Sequence, residues 1–170
     1  AITAQNTLGV DAVHLVPTEM VIDQIAAVVS DIGVDAVKIG MIGDADTAHA
    51  VADSLSELSC PIVFDPVMVA TSGAVLADAD TISAFERLMR LATITTPNLP
   101  ELKALGGKNA LLARHIPLLI KGGHSEDDLI VDELHVAAEQ CVSWSDERIA
   151  TRSTHGTGCT LATAIATGLG

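Results

Sequence analysis

A glycine turn followed by a cysteine stands near the end of the chain, in the stretch RSTHGTGCTLATAIATGLG. Gly156 and Gly158 frame Thr157, and Cys159 precedes a run of small and apolar residues with helical character. The first turn of a helix leaves N–H groups unpaired at its positive end, so glycines before it let an anion reach the backbone. The same field favours the thiolate of Cys159. The plainer alternative is a local turn followed by a small core cysteine.

Three charged residues stand where apolar, strand-like runs end. Asp65 lies at the end of such a run, where a carboxylate is costly unless it caps a helix, pairs with a lysine or binds a cation. Glu101 falls in the first turn of a predicted helix, a position that the helix dipole alone favours. Lys121 meets two glycines, so a phosphate-facing lysine competes with an ordinary surface lysine. Together with the glycine turn, these residues suit a nucleoside triphosphate, Mg²⁺ and an acceptor alcohol.

Several familiar catalytic and metal-binding patterns do not occur in the chain. There is no GxxxxGK[ST] loop and no GxSxG elbow, and GTGCTL has Leu161 where the dinucleotide fingerprint needs its third glycine. Cys60, Cys141 and Cys159 are far apart and form no CxxC pair, and no HxxxH pair occurs. We therefore expect neither a disulfide framework nor a transition-metal site, and we expect a reducing cytoplasm as the compartment.

The composition indicates one globular domain with an aliphatic core. The 170 residues are 49% hydrophobic, 18% charged and 2% aromatic, which is typical of α/β proteins with buried parallel strands. A net charge of −13 disfavours nucleic acid and anionic membranes as partners. It leaves room for a nucleotide held by a few local donors and a metal. No stretch approaches a membrane span, and no signal peptide is visible.

Apolar, strand-like runs alternate with stretches of helical periodicity. This alternation predicts an α/β fold with a mostly parallel sheet and helices on both faces, whose ligands collect beyond the carboxyl ends of the strands. We expect a helix N-cap at Thr18 and two antiparallel edge strands, DLIVDEL and EQCVSW. The predicted helices cover residues 17–32, 44–58, 78–91, 99–107 and 111–115. The predicted strands cover residues 35–43, 61–68, 93–98 and 117–123, with a further strand at 147–154 before the glycine turn.

Six segments appear in register along nearly the whole chain: TAQNT, VKIGMIG, VFDPVMVATSG, TPNLPEL, IKGGH and RIATRSTHGTGCTLATAIA. Together they resemble the hydroxymethylpyrimidine/phosphomethylpyrimidine kinase family of thiamine biosynthesis. The resemblance implies the three-layer α/β/α ribokinase-like fold that pyridoxal kinases share. It also implies ATP-dependent phosphorylation of 4-amino-5-hydroxymethyl-2-methylpyrimidine, and then of its monophosphate, with Mg²⁺. Small α/β kinases often pair, so we expect a homodimer.

The resemblance also implies how substrate and metal are held. Gln5 is expected to hydrogen-bond the pyrimidine, and Met41 is expected to lie against its ring. Asp65 and Glu101 are expected to hold Mg²⁺ through water. Lys38 lies in the same segment as Met41, and the sequence gives it no role.

The phosphate-binding and catalytic roles fall on the later segments. The resemblance makes Lys121 a contact of the transferred phosphate and makes Gly156 and Gly158 part of the anion hole. Cys159 stands where many ribokinase-like enzymes have an aspartate base; it either accepts the hydroxyl proton as transfer proceeds or orients the hydroxyl. The residues expected to bind ATP are Asn98, Lys121 and Thr157.

The chain also departs from the family pattern. The family is longer at both ends, so residues 1–170 are expected to form a single kinase domain without the family's N-terminal glycine-rich segment and C-terminal tail. Residues 105–115 are shorter than in the family, and we expect 170 residues alone to lack part of the pocket. The alternatives are a pyridoxal kinase of the same fold and a catalytically inactive ligand-binding relative. A cysteine hydrolase built on Cys159 and His155 is a weaker alternative.

Overall fold

The computed structural model describes residues 1–7, 9–69, 76–125, 128–137, 140–151 and 153–170. Residues 70–73 of VFDPVMVATSG and Arg152 of the last segment therefore lie outside the described residues. Within these ranges the helices are α1 (Thr18–Asp31), α2 (Ala45–Leu55), α3 (Ala79–Leu91), α4 (Leu99–Ala104), α5 (Lys108–Ala113) and α6 (Thr157–Leu169). The strands are β1 (Ile2–Gln5), β2 (Val10–His14), β3 (Val37–Ile39), β4 (Ile62–Phe64), β5 (Ile94–Thr95), β6 (Leu118–Ile120), β7 (Leu129–Ala137) and β8 (Gln140–Glu147).

The central sheet is mixed and has the strand order β3-β4-β5-β6-β7-β8. Strands β3 to β6 pair in parallel, and each is reached through a helical connection. Strands β7 and β8 add antiparallel to the β6 edge, as the sequence predicts for these two segments. The prediction of an α/β fold with a mostly parallel sheet is therefore confirmed.

Helices cover both faces of this sheet. Side chains alternate along a strand, so Ile62 and Phe64 of β4 face one way and Val63 faces the other. Ile62 and Phe64 join the large core with α2 and α3, where the Phe64 and Phe85 rings meet edge to face at 5.1 Å. Val63 packs against Ala162 of α6 in a second, smaller core. None of the helices in the described part of the chain has the length and apolar character that crossing a membrane requires.

The N-cap residues show which helix starts could be predicted from the sequence. Asp44 accepts a hydrogen bond from Thr47 N at 2.7 Å, and Asp78 caps α3 in the same way. The N-cap predicted at Thr18 is wrong, because Pro17 occupies the cap position and no side chain caps α1. The Thr18 hydroxyl instead lies 2.9 Å from the Thr47 hydroxyl, so it links α1 to α2.

The strand predicted over residues 147–154 is also wrong. Glu147 ends β8, and residues 148–151 have no regular structure. Arg148 explains the change of direction, because its guanidinium donates to the carbonyl oxygen of Ser125 at 2.6 Å and its N–H donates to Asp128 O at 2.8 Å. These bonds hold the chain at the base of the β7–β8 hairpin.

Strands β1 and β2 form a separate two-stranded antiparallel sheet that the sequence analysis did not predict. Most of its side chains are exposed, so neither strand has the apolar run on which the other strand predictions rest. The base of this hairpin adjoins the turn after β3. A side chain at Gly43 would collide with Leu15 and approach Ala1.

Gly122 lies at the close approach between the end of β6 and strand β7. Its N–H donates to Asp132 Oδ1 at 2.7 Å, and a Cβ at this position would overlap the backbone of Val131. The Val131 backbone belongs to a ladder and cannot move aside as a side chain tip can. Within the described residues, no atom lies within 4 Å of the position that a Cβ at the neighbouring Gly123 would take.

We therefore expect Gly122→Ala to lower the free energy of unfolding by about 1–3 kcal/mol, the usual cost of overpacking. Gly123→Ala is the matched control and should change it by less than about 0.5 kcal/mol. Urea denaturation of both variants measures the difference. Equal midpoints for the two variants would show that β7 does not approach β6 as closely as described.

Candidate active site

Four polar side chains converge on one face of the sheet. The register of β3 with β4 places Lys38 opposite Val63, on the face that α6 covers. Asp65 follows Val63 by two residues, Thr96 follows Ile94 by two, and Lys121 comes directly after β6. The carboxyl ends of parallel strands share one edge, so these residues meet where α6 begins.

Asp65 is the centre of this polar cluster. Asp65 is 1% exposed. Its Oδ1 accepts hydrogen bonds from Lys121 Nζ at 2.7 Å and from Thr96 Oγ1 at 3.2 Å. Lys38 Nζ lies 4.0 Å from Oδ2. A buried carboxylate is costly without such partners. The lysine pairing weighed from the sequence is therefore present, and it involves two lysines.

Lys38 is a site residue that the sequence reasoning left without a role. A lysine inside an apolar strand was the available signal, but its direction depends on the β3–β4 register, which the sequence does not give. Gly40 makes room for it, because a side chain there would collide with the Lys38 ammonium. Gly158 does the same for Lys121, since a Cβ at 158 would lie 3.2 Å from Nζ. The two glycines thus leave space for two ammonium groups.

The glycine turn opens α6 as the sequence predicts. Gly156 has φ +76°, a left-handed conformation that favours glycine, and it is the N-cap residue. No side chain caps this helix. Within the described residues, no hydrogen bond reaches the amide nitrogens of Gly158 and Cys159. These N–H groups, together with the helix dipole, are donors available to an anion next to Lys121.

The expectation that the Cys159 thiolate is favoured is wrong. The pKa of Cys159 is raised, chiefly by partial burial and also by the charge of Asp65 and a hydrogen bond with it. Lys38 and Lys121 act in the opposite direction but do not prevail. The thiol therefore stays protonated in the neutral range. Within the described residues, His155 makes no hydrogen bond to Cys159, so the hydrolase alternative has no base in place.

Glu101 and Asn98 form a capping box at the start of α4. Asn98 Oδ1 accepts from Glu101 N at 2.8 Å, and Glu101 Oε2 accepts from Asn98 N at 2.9 Å. Glu101 is 5% exposed, and burial raises its pKa, with the negative charge of Asp65 adding to the rise. Asn98 also forms a parallel bridge to Lys121, which ties α4 to the polar cluster.

Asp65 and Glu101 are both buried, and the charge of Asp65 acts on Glu101. Carboxylate oxygens of this kind suit a hard divalent cation. Asp65 and Glu101 therefore fit the magnesium site expected from the sequence. Gln5 and Met41 are placed differently. Gln5 ends β1 and is exposed, Met41 is half-buried after β3, and within the described residues no hydrogen bond joins either side chain to the cluster.

The family model and the curated relatives indicate one family. The family model described as phosphomethylpyrimidine kinase matches residues 1–170. The hydroxymethylpyrimidine/phosphomethylpyrimidine kinase of Rhizobium meliloti (strain 1021) is 45% identical, and the match covers 99% of this chain and 69% of the relative. The chloroplastic thiamine biosynthetic bifunctional enzyme TH1 of Arabidopsis thaliana is 40% identical over 98% of this chain and 35% of the relative. The chain thus spans only part of each relative.

Solved structures share the fold. A phosphomethylpyrimidine kinase from Clostridium difficile 630 aligns with TM-score 0.77 and 31% identity, over 98% of this chain and 74% of that one. A pyridoxal kinase from Staphylococcus aureus in complex with ADP aligns with TM-score 0.78 and 26% identity, over 99% of this chain and 66% of that one. These likenesses confirm the predicted ribokinase-like fold.

The raised pKa of Glu101 gives a stability prediction. Its folded pKa lies above its unfolded value, so its favourable contribution is present below the unfolded pKa and is lost as pH rises through the folded pKa. We expect Glu101→Gln to raise the Tm of the protein without added ligand at neutral pH, with the gain vanishing in acid. Glutamine keeps the capping box, since it accepts at the same position.

Glu86→Gln is the control of opposite sign. A hydrogen bond from Arg90 lowers the pKa of Glu86, so its contribution is present above the unfolded pKa and is lost as pH falls. This variant should not raise the Tm at neutral pH. Thermal denaturation at neutral and acid pH compares the two variants; a Glu101→Gln protein that is destabilised most at neutral pH would contradict the assigned burial effect.

Proposed function

Because the chain belongs to the phosphomethylpyrimidine kinase family, we propose that it transfers the terminal phosphoryl group of ATP to the hydroxymethyl oxygen of 4-amino-5-hydroxymethyl-2-methylpyrimidine, and then to the monophosphate so formed. The observation that carries this proposal is the ion cluster of the buried Asp65 with the partly buried Lys38 and Lys121, beside the uncapped start of α6. It combines positive charge, N–H donors and carboxylates at one edge of the sheet.

The positive groups serve phosphoryl transfer directly. The transition state is loose and highly charged, so stabilising and aligning the phosphate matters more than covalent chemistry. The N–H groups of Gly158 and Cys159 point from the helix end, and Lys121 lies beside Gly158. Gly156 supplies the turn that exposes these donors. We assign Lys121, Gly156 and Gly158 to the transferred phosphate, and Asn98 and Thr157 to the rest of the polyphosphate.

Asp65 and Glu101 are the residues that would hold Mg²⁺. When bound, the ion would supply positive charge that offsets the negative charge of the phosphates. In the structure Lys121 Nζ donates a hydrogen bond to Asp65 Oδ1 at 2.7 Å. A polyphosphate offers Lys121 a second anionic partner, which leaves the Asp65 oxygen to a cation. Glu101 contributes a second buried carboxylate. Within the described residues, no lysine donates a hydrogen bond to it.

Cys159 is assigned an orienting role rather than that of a ready base. Its raised pKa keeps the thiol protonated. In the proposed arrangement the thiol donates to Asp65 and its sulfur accepts from the substrate hydroxyl. A chain from the substrate hydroxyl through the sulfur to Asp65 aligns the attacking oxygen with the phosphorus. Little charge develops on the attacking oxygen in a loose transition state, so a strong base is not required.

Substrate recognition, compartment and assembly complete the proposal. Gln5 and Met41 are the residues proposed to bind the pyrimidine, and the enzyme is proposed to act as a homodimer in the cytoplasm. The reducing compartment suits three free thiols, at Cys60, Cys141 and Cys159.

Pyridoxal phosphorylation is the second candidate. The Staphylococcus aureus pyridoxal kinase aligns as well as the Clostridium difficile phosphomethylpyrimidine kinase, with TM-scores of 0.78 and 0.77. The polar cluster described above acts on phosphate and does not discriminate between two aromatic alcohols. The family match and the higher identity to named pyrimidine kinases favour the pyrimidine.

A coupled ATP assay on the full-length protein tests the function. The acceptors are the pyrimidine alcohol, its monophosphate and pyridoxal, with and without Mg²⁺. We expect turnover on the first two acceptors and a kcat/KM for pyridoxal that is lower by at least about tenfold, which corresponds to about 1.4 kcal/mol of transition-state discrimination. Preference for pyridoxal would replace the substrate assignment, and no ATP turnover with any acceptor would overturn the kinase proposal.

The role of Cys159 is tested with two substitutions. Cys159→Ala should lower kcat by at least about tenfold with little change in the KM for ATP, because it removes the contact that aligns the hydroxyl. Cys159→Ser should retain more activity, since a hydroxyl can also donate to Asp65 and accept from the substrate. Near-normal turnover of the alanine variant would exclude the role. A serine variant as impaired as the alanine variant would assign proton acceptance to the thiolate instead.

A further inference from the structure

A second group of polar side chains lies on the opposite face of the sheet from the phosphate cluster. His135 stands opposite Leu118 in the β6–β7 ladder, and Leu118 belongs to the large core under α2 and α3. Glu133 precedes His135 by two residues on the same face, and Cys141 of β8 is the cross-strand partner of His135. Side chains directly opposite in antiparallel strands share a face, so the three meet there.

The ligand atoms of these residues are close together. His135 Nε2 lies 2.8 Å from Glu133 Oε2 and 3.6 Å from Cys141 Sγ, and all three ligand atoms lie within 4.8 Å of one another. His135 is 6% exposed, whereas Cys141 is exposed and gives access from solvent.

The two ring nitrogens of His135 have different surroundings. An imidazole nitrogen has one in-plane position, which is either a donor or an acceptor, yet Nε2 faces both the carboxylate and the sulfur. The other ring nitrogen, Nδ1, is buried and has no hydrogen-bond partner within the described residues. An N–H at Nε2 directed at the carboxylate 2.8 Å away leaves only a weak, shared contact with the sulfur at 3.6 Å. A cation among the three atoms would engage all of them at once.

Thiolate, imidazole and carboxylate are the ligands that zinc takes in proteins. With zinc–ligand bonds of about 2.3 Å to sulfur and about 2.0 Å to nitrogen, a tetrahedral site separates the two atoms by roughly 3.5 Å. The observed sulfur–nitrogen distance is 3.6 Å. The carboxylate must move outward from 2.8 Å, which the half-buried Glu133 side chain permits.

We propose that Glu133, His135 and Cys141 form a binding site for one divalent metal ion of the zinc class, with a fourth position open to solvent. The site would fasten β8 to β7 and so stabilise the sheet edge. No transition-metal site was expected from the sequence, because the chain has no CxxC or HxxxH pair. Here two ligands are two residues apart on one strand and the third is brought in by strand pairing. The proposal does not rest on the kinase function.

Lys108 is the natural competitor of the metal. Its ammonium donates to Glu133 Oε2 at 2.8 Å from the start of α5. Removing this charge should free the carboxylate. Lys108→Met is therefore expected to tighten metal binding by about two- to fivefold, in proportion to the modest strength of a partly exposed ion pair.

Cobalt binding to the metal-free, full-length protein tests the site. Co²⁺ should give the thiolate-to-cobalt charge-transfer band in the near ultraviolet, and the intensity of the band should correspond to one thiolate-bound cobalt per chain. Zn²⁺ should displace it. Cys141→Ser should abolish the band, and Glu133→Gln should weaken binding by at least about tenfold. The matched control is Cys60→Ser, which removes a thiol elsewhere and should leave the band unchanged; circular dichroism checks that each variant is folded.

Three results of the cobalt titration would contradict the proposed metal site or the competition by Lys108. No thiolate band in the reduced wild-type protein would overturn the proposal. A band that survives Cys141→Ser in the folded variant would assign the metal to another thiol and overturn it as well. Unchanged or weaker binding in Lys108→Met would contradict the competition described for Glu133.

Discussion

The Asp65 carboxylate is the constraint around which the site is arranged. It is 1% exposed, and an unpaired charge at such a position costs several kcal/mol. Lys121, Lys38 and the Thr96 hydroxyl offset that cost from three neighbouring strands. The strands β3 to β6 must therefore keep their register and their parallel order, because a shift by one residue would turn Lys38 or Asp65 to the other face. The same charged cluster stabilises the edge of the sheet and provides the ammonium groups that would bind an anion.

The same cluster explains why glycine occupies the positions around it. Gly40 and Gly158 leave volume for two ammonium groups, and Gly156 takes the left-handed conformation that begins α6 without a capping side chain. The helix end then keeps, beside Lys121, the N–H groups of Gly158 and Cys159, which have no partner within the described residues. Phosphate would replace Asp65 as the partner of Lys121, so the carboxylate holds the Lys121 ammonium in place until the nucleotide binds.

The features of the fold and site that depend on local sequence pattern could be predicted from the sequence. Alternating periods predicted the α/β fold, and strand-end position predicted that Asp65 and Lys121 would lie at the same edge. Sequence reasoning missed what depends on three-dimensional pairing. The role of Lys38 follows from the β3–β4 register, and the Glu133–His135–Cys141 cluster follows from the β7–β8 pairing. The thiolate expectation failed because dipole and lysine charges were considered without the burial and the nearby carboxylate that raise the pKa of Cys159.

Calorimetric titration of the full-length protein with Mg²⁺-ATP tests the central claim, that the lysines held by Asp65 form the polyphosphate site. Lys121→Met and Lys38→Met are compared with Lys103→Met, an exposed lysine on α4 outside the cluster. The account predicts at least about tenfold weaker binding in Lys121→Met, the loss of one charge-assisted hydrogen bond, a smaller loss in Lys38→Met and wild-type affinity in Lys103→Met. Wild-type affinity in both cluster variants would contradict it.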